Sequence, residues 1–185
     1  MSRIPELTRD ELDSDGQELY DQILAARGSI SGPFRVWLHS PEFTRRATQL
    51  GEFLRYQTTL SARLSELVIL ITARCQHSEG EWAIHEPLAR KAGLSSDVIR
   101  DLQAERRPVF NEPAEEAIYD FCRQLHQTHT SSAATLLRVV ELLGNKAAVE
   151  ITGLCGYYTM VAMALNAFGV ATGGKGLTAS DQAPG

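Results

Sequence analysis

The chain has 185 residues, of which 43% are hydrophobic and 22% charged, as is ordinary for a single globular domain with a buried core. Its net charge is −5 and its Lys and Arg residues form no cluster, which argues against a nucleic-acid-binding surface. Three widely spaced cysteines, Cys75, Cys122 and Cys155, fit a reducing compartment better than a disulfide framework. Residues 1–16 are polar and lack the apolar segment of a signal peptide, so we expect a cytoplasmic protein.

The first third of the chain is predicted to be mostly helical. Thr8 and Glu11 have the spacing of a capping box and are predicted to start a helix, which places a set of apolar residues on one face: Leu12, Leu19, Ile23 and Leu24. Residues 28–42 are rich in Gly, Ser and Pro and are predicted to form a connection. A moderately amphipathic helix is expected over residues 42–58.

The middle of the chain continues with helices marked by their end residues. Ser61 is predicted to cap a helix that is apolar on most sides. Another helix follows and ends at Gly93, after which a serine-capped helix begins. Pro113 is predicted to start a helix whose apolar residues recur at the helical period: Ile118, Phe121, Cys122 and Leu125. A serine-capped helix over residues 131–144 should end at its glycine.

The last predicted helix could be either a membrane span or a buried helix of the core. Residues 151–174 carry no charge, which is one property of a membrane span. The segment also contains three threonines, five glycines and two adjacent tyrosines, which dilute its hydrophobicity. A helix of this composition is typical of a buried central helix, so no membrane association is predicted. With no strand-like alternation elsewhere, we predict a single-domain, all-α helical bundle of seven or eight helices.

Residues 75–85, CQHSEGEWAIH, concentrate the reactive side chains. Cys75, His77 and His85 are metal-ligand types, but their spacing matches no common zinc pattern, so we predict no metal. A redox site needs a second thiol near Cys75, and no cysteine is close to it in sequence. A distant cysteine could supply that thiol if the fold brought it close. Otherwise Cys75 is a small buried residue at a helix end.

An acid–base site is the third interpretation of this stretch. Glu81 and His85 are i, i+4 neighbours on a helix, and a carboxylate beside an imidazole orients the ring and fixes its tautomer. Glu66 in the preceding helix could join them if the chain folds back between the two helices. The alternative is that Ser78 and Glu81 form only a capping box at the helix start. That structural role leaves His85 unexplained.

The order and spacing of Glu66, Ser78, Glu81 and His85, with the following EPLARKAGLSSDVI, resemble the carboxymuconolactone decarboxylase family. The segment VEITGLCGYYTMVAMALNAFGV also resembles the C-terminal helix of that family. The similarity runs over residues 33–170 and implies the all-helical AhpD-like fold of the alkylhydroperoxidases. It implies a domain at 33–171, preceded by a helical extension at 1–32 and followed by a tail at 172–185 that we expect to be disordered.

The resemblance also implies an activity. The peroxidase branch of the family carries a C-x-x-C motif, whose cysteines fall on Ser78 and Glu81 here, so that branch's redox thiols are missing. The decarboxylase branch places a glutamate four residues before the histidine, as here. It decarboxylates and isomerises a carboxylated γ-lactone without a cofactor, a chemistry typical of aromatic degradation. We therefore expect a lyase with His85 as acid/base, Glu81 as its orienter and Glu66 as a proton relay.

Four residues are candidates for substrate binding: Ser78, Trp82, Tyr157 and Asn166. Tyr158 is a further candidate for the lining of the pocket. Members of the family are commonly trimers or hexamers, and Gly153-x-x-Gly156 in the uncharged helix favours close helix contact, so we expect self-association. Two alternatives remain open. One is an AhpD-like alkyl hydroperoxide reductase, with peroxiredoxin activity, that uses Cys75. The other is a non-catalytic ligand-binding or assembly protein.

Overall fold

A computed structural model of the chain describes residues 2–170. Within that range the chain forms eight α-helices and one short 3-10 helix, and it contains no extended β-strand. In chain order these are the 3-10 helix Arg9–Glu11, α1 Ser14–Arg27, α2 Phe34–Trp37, α3 Pro41–Tyr56, α4 Ala62–Cys75, α5 Glu79–Lys91, α6 Ser96–Gln103, α7 Pro113–Thr128 and α8 Ala133–Phe168. The predicted all-α fold and its number of helices are confirmed.

The chain divides into two compact units. The central unit is Gly51–Ala162, and the terminal unit combines Met1–Leu50 with Met163–Gly185. The predicted division into an extension at 1–32 and a domain at 33–171 stays a prediction. The predicted tail at 172–185 lies outside the described residues.

The N-terminal helix starts later than the sequence indicated. The capping box of Thr8 and Glu11 is present, with the Thr8 N–H donating to the Glu11 carboxylate at 2.8 Å, but it closes only the 3-10 turn. Asp13 provides a separate N-cap for α1, where its carboxylate accepts from the Gly16 N–H at 2.8 Å. The prediction of one helix starting at Thr8 is therefore wrong, because two caps in succession make two elements. Leu19 and Ile23 are buried as predicted.

The core of the central unit is built around α4. Nine consecutive residues of this helix, Ser65–Ala73, are buried, and α4 packs against α5, α6 and α7. A helix buried on most sides was predicted here and is confirmed. The predicted ends of these helices are also confirmed, because Ser61 caps α4, Gly93 follows α5 with φ +88°, and Ser95 caps α6.

α8 consists of two helical segments separated at Gly144, whose φ of 86° and ψ of 164° are not helical. The glycine therefore ends the first segment, as predicted. In the described part of the chain, α8 is the one helix long and apolar enough to cross a membrane, with a mean hydropathy of 1.3 in its most apolar window. Of that window, 61% is buried inside the protein, as is typical of a core helix.

Candidate active site

A tight turn joins α4 to α5 and brings their side chains together. α4 ends at Cys75, and His77 adopts a left-handed conformation with φ +49° that reverses the chain. Ser78 then caps α5: its N–H donates to the Ala73 carbonyl at 2.9 Å, and its hydroxyl accepts from the Glu81 N–H at 3.5 Å. α5 consequently packs against α4.

This arrangement places His85 between two carboxyl groups. Its Nδ1 lies 2.8 Å from Oε2 of Glu66, a hydrogen bond between residues 19 positions apart. Its Nε2 lies 3.6 Å from Oε2 of Glu81, which is too long for a hydrogen bond but within ion-pair distance. All three side chains are buried. The predicted convergence of one imidazole and two carboxyls in a buried place is confirmed, and their catalytic roles stay predictions.

The carboxyl of Glu81 faces His85 and does not close a capping box. The backbone N–H of Ser78 that would close the box already donates to Ala73. Burial raises the pKa of Glu81, and the neighbouring Glu66 raises it further, although His85 and Arg55 act in the opposite direction. Glu81 therefore retains its proton to a higher pH than an exposed glutamate does.

Two further residues of the central unit complete the site. Nη2 of Arg55 lies 3.9 Å from Oε1 of Glu66, and its buried Nε has no hydrogen-bond partner among the described residues. The ring of Tyr158 meets that of His85 edge to face, with 5.1 Å between their centroids. Burial raises the pKa of Tyr158 well above 10, so its hydroxyl stays protonated. The site thus combines a cation, a neutral phenol, an imidazole and two carboxyls.

Sequence reasoning missed Arg55, although a signal for it exists. Arg55 follows buried Leu54 and lies one helical turn after buried Gly51, so it belongs to the inward face of α3. A charged residue on the apolar face of an amphipathic helix is expected to have a specific partner. Here that partner is Glu66.

The four predicted substrate-binding residues lie in different surroundings. Ser78 is fully buried as the cap of α5, and Trp82 packs under the guanidinium of Arg74, whose Cζ is 4.9 Å from the ring centroid. The buried ring of Tyr157 contacts that of Tyr158 at 5.4 Å between centroids. Asn166 is exposed and belongs to the terminal unit. Substrate binding by these residues stays a prediction.

Cys75, the residue of the peroxidase alternative, is half-buried and accepts a hydrogen bond from Nη1 of Arg123 at 3.1 Å. Burial raises its pKa, an effect that Arg123 only partly offsets, so the reactive thiolate is disfavoured. Nowhere in residues 2–170 do three or more His, Cys, Asp or Glu side chains form a group that could hold a metal ion.

Four of the five residues of the site lie within a segment that known proteins share. Residues 41–124 match the model of the carboxymuconolactone decarboxylase family, and this range contains Arg55, Glu66, Glu81 and His85. The segment belongs to the carboxymuconolactone decarboxylase family. The resemblance drawn from the sequence is confirmed over residues 41–124, which do not include Tyr158. No curated protein matches the chain.

Solved structures extend the similarity beyond the matched family segment. An uncharacterized peroxidase-related protein with an AhpD core from Ralstonia eutropha JMP134 is 16% identical, with a TM-score of 0.77 over 92% of each chain. A peroxidase-related protein from Silicibacter sp. TM1040 is 12% identical, with a TM-score of 0.75 over 92% of this chain and 91% of that one. A protein of unknown function from Agrobacterium tumefaciens has a TM-score of 0.66 at 16% identity, over 75% of this chain and 96% of that one. These likenesses show the AhpD-like fold.

Proposed function

We propose that this protein, whose residues 41–124 match the carboxymuconolactone decarboxylase family, is a cofactor-free acid–base enzyme. Its substrate class is a small carboxylated lactone or a related ring compound, which it decarboxylates or isomerises. The observation that carries the proposal is the buried imidazole of His85, with the Glu66 carboxylate 2.8 Å from one nitrogen and the Glu81 carboxyl 3.6 Å from the other. Family membership supports the substrate class.

The two distances from His85 suggest different roles for the carboxyl groups of Glu66 and Glu81. We assign the Nδ1–H of His85 as the donor to Glu66, because the short hydrogen bond is made there. Glu66 thus takes the orienting role that the sequence suggested for Glu81. Nε2 then carries the lone pair, and it faces Glu81 across a gap that holds no direct hydrogen bond. A proton can pass between these two groups and a substrate atom placed beside them.

The reaction needs one proton and a place for transient negative charge. When the carbon–carbon bond to the substrate carboxylate breaks, CO₂ leaves and its bonding electron pair delocalises into the ring as a dienolate. Nε2 of His85 takes up the proton of the Glu81 carboxyl and delivers it to a ring carbon, so carboxylate and proton give CO₂ and a neutral lactone ring. The guanidinium of Arg55 and the protonated hydroxyl of Tyr158 would stabilise the dienolate charge.

The thiol-dependent alternative receives less support from Cys75. Its thiol accepts a hydrogen bond from Arg123 and has a raised pKa. In addition, the resemblance places Ser78 and Glu81 at the positions of the C-x-x-C cysteines. A serine hydroxyl does not replace a thiolate in attack on a peroxide.

The proposal is tested by measuring CO₂ release from carboxymuconolactone and related carboxylated lactones. His85→Gln should lower kcat by about 10²–10⁴-fold while circular dichroism shows an unchanged fold, because general acid–base catalysis typically contributes that much. His39→Gln, the same substitution at an exposed histidine, should keep wild-type activity. A folded His85→Gln protein with activity within about twofold of wild type would overturn the proposal. Binding of these lactones without conversion would favour the non-catalytic alternative.

A further inference from the structure

Two cysteines that are far apart in sequence meet inside the central unit. Sγ of Cys122 in α7 lies 3.4 Å from Sγ of Cys155 in α8, and both thiols are free. Since a disulfide has an S–S length of about 2.05 Å, the two sulfurs need to approach by only about 1.4 Å to form one. The sequence interpretation had required a distant cysteine to come close to Cys75. The fold instead pairs the other two cysteines with each other.

The surroundings of this pair are polar on one side. Oγ1 of Thr72 and Nε2 of His126 lie 3.0 Å apart, and Nδ1 of His126 lies 3.5 Å from Nε2 of Gln76. The neighbouring Cys122, His126 and Thr72 lower the pKa of the Cys155 thiol, against the effect of its burial. Burial raises the pKa of the Cys122 thiol. A cysteine that only fills space in a core has no need of these polar partners.

We propose that Cys122 and Cys155 form a redox-active dithiol, which a small hydroperoxide oxidises to an intramolecular disulfide. This site is separate from the acid–base site at His85. The proposed reaction uses neither Cys75 nor the two positions that, by the resemblance, correspond to the C-x-x-C of the peroxidase branch, Ser78 and Glu81.

The reaction proceeds in two balanced steps. The Cys155 thiolate attacks the terminal oxygen of the hydroperoxide, the O–O bond breaks, and the alkoxide leaves as an alcohol after taking up a proton. Cys155 is then a sulfenic acid. The sulfur of Cys122, losing its proton, attacks the sulfur of Cys155, so that the S–S bond forms, the S–O bond breaks and water leaves. In total, two thiols and one hydroperoxide give one disulfide, one alcohol and one water.

Burial limits the oxidant to a small molecule. Cys122 is fully buried and Cys155 is 4% exposed, so Cys155 is the residue of the pair that keeps some solvent exposure. The neighbouring His126, and Gln76 in contact with it, are themselves only half-buried. Hydrogen peroxide is therefore the appropriate probe, and an external dithiol such as dithiothreitol should reverse the oxidation.

The test is to treat the reduced, folded full-length protein with hydrogen peroxide and map its thiols by mass spectrometry. We expect a Cys122–Cys155 cross-linked peptide, the mass loss of two hydrogens, and recovery of both thiols with dithiothreitol. Cys75→Ser should form the same cross-link at a rate within about twofold of wild type, and so should His85→Gln. Cys155→Ser should slow peroxide consumption by about tenfold or more, because it removes the attacking thiolate.

Replacing the second sulfur gives an independent result. Cys122→Ala, a small apolar substitution for a buried site, should leave Cys155 as a sulfenic acid that dimedone traps. Cys122→Ala and Cys155→Ser should each show the circular dichroism spectrum of wild type before oxidation is measured. The proposal is overturned if peroxide oxidises Cys75 in the folded protein while Cys122 and Cys155 remain reduced. It is equally overturned if the cross-link forms only after unfolding.

Discussion

The two carboxyl groups beside His85 differ in their surroundings, although both are buried. Glu66 has a short hydrogen bond from the imidazole on one oxygen and the guanidinium of Arg55 3.9 Å from the other. The carboxyl of Glu81 has the longer approach to His85, at 3.6 Å, and burial raises its pKa. One carboxyl is therefore suited to accept a fixed hydrogen bond, and the other to hold and release a proton.

The raised pKa of Glu81 predicts how stability depends on pH. Because this pKa lies above the ordinary value of 4.5, the folded state holds the proton more tightly than the unfolded chain. The resulting stabilisation is complete below pH 4.5 and is lost as the pH rises through the raised pKa. The glutamine side chain of the Glu81→Gln variant cannot ionise. The melting temperature of this variant relative to wild type should therefore increase as the pH rises from 4.5 through the raised pKa of Glu81.

Thermal denaturation of both proteins from pH 4 to pH 8 measures this difference. Glu52→Gln, the same substitution at an exposed glutamate on α3, serves as the control and should show no comparable trend. A constant offset between Glu81→Gln and wild type at every pH would contradict the assigned role of burial.

The sequence predicted those parts of the site whose residues are close together in the chain. Glu81 and His85 are one helical turn apart, so local periodicity was sufficient to bring them together. Glu66 required the additional assumption of a reversal between α4 and α5, which His77 provides by its left-handed backbone. The pairing of Cys122 with Cys155 depends on how α7 packs near α8, and no spacing rule gives that contact.

At the scale of helices, end residues were better guides than apolar periodicity. Ser61, Gly93 and Pro113 each mark a helix end in the structure as predicted, because each satisfies or removes a backbone group that the helix leaves unpaired. Thr8 misled the prediction, since a capping box also closes a single 3-10 turn. The four-residue helix α2, Phe34–Trp37, was hidden in a segment whose Gly, Ser and Pro content indicated a connection.

The contact between α3 and α8 depends on one glycine. A Cβ added to Gly51 would collide with the hydroxyl and ring of Tyr157, whose ring in turn packs against Tyr158 beside His85. Gly51→Ala should therefore lower the free energy of unfolding by about 1–3 kcal/mol, a typical cost of overpacking a core. Urea denaturation monitored by circular dichroism measures this change.

A double-mutant cycle identifies the cause of that destabilisation. In a Tyr157→Leu background the ring is absent, so Gly51→Ala should cost less than half of what it costs in wild type. An equal cost in both backgrounds would show that Tyr157 is not what Gly51 accommodates.

For the whole molecule, the surface of α8 favours self-association, which we expect to produce a trimer or hexamer. After the break at Gly144 the helix exposes Val149, Gly153 and Gly156, and Val149 is 73% exposed. An uncharged exposed stripe with small residues permits close packing against another copy of the chain. Val149→Glu should shift the protein to smaller species in native mass spectrometry and light scattering.

Val109→Glu provides a matched control, because Val109 is 82% exposed in the segment between α6 and α7. It introduces the same charge outside α8 and should leave the assembly unchanged. If wild type and Val149→Glu are both monomeric over the micromolar range, the predicted self-association is wrong.

The acid–base function depends on which nitrogen of His85 carries the proton when the ring is neutral. Nuclear magnetic resonance of the ¹⁵N-histidine-labelled protein distinguishes the two tautomers through correlations between ring nitrogens and ring protons. The hydrogen bond to Glu66 predicts the proton on Nδ1 and a lone pair on Nε2 facing Glu81. A neutral His85 with its proton on Nε2 would contradict this assignment. Glu66 would then receive no hydrogen bond from Nδ1, and Nε2 would have no lone pair with which to act as the base.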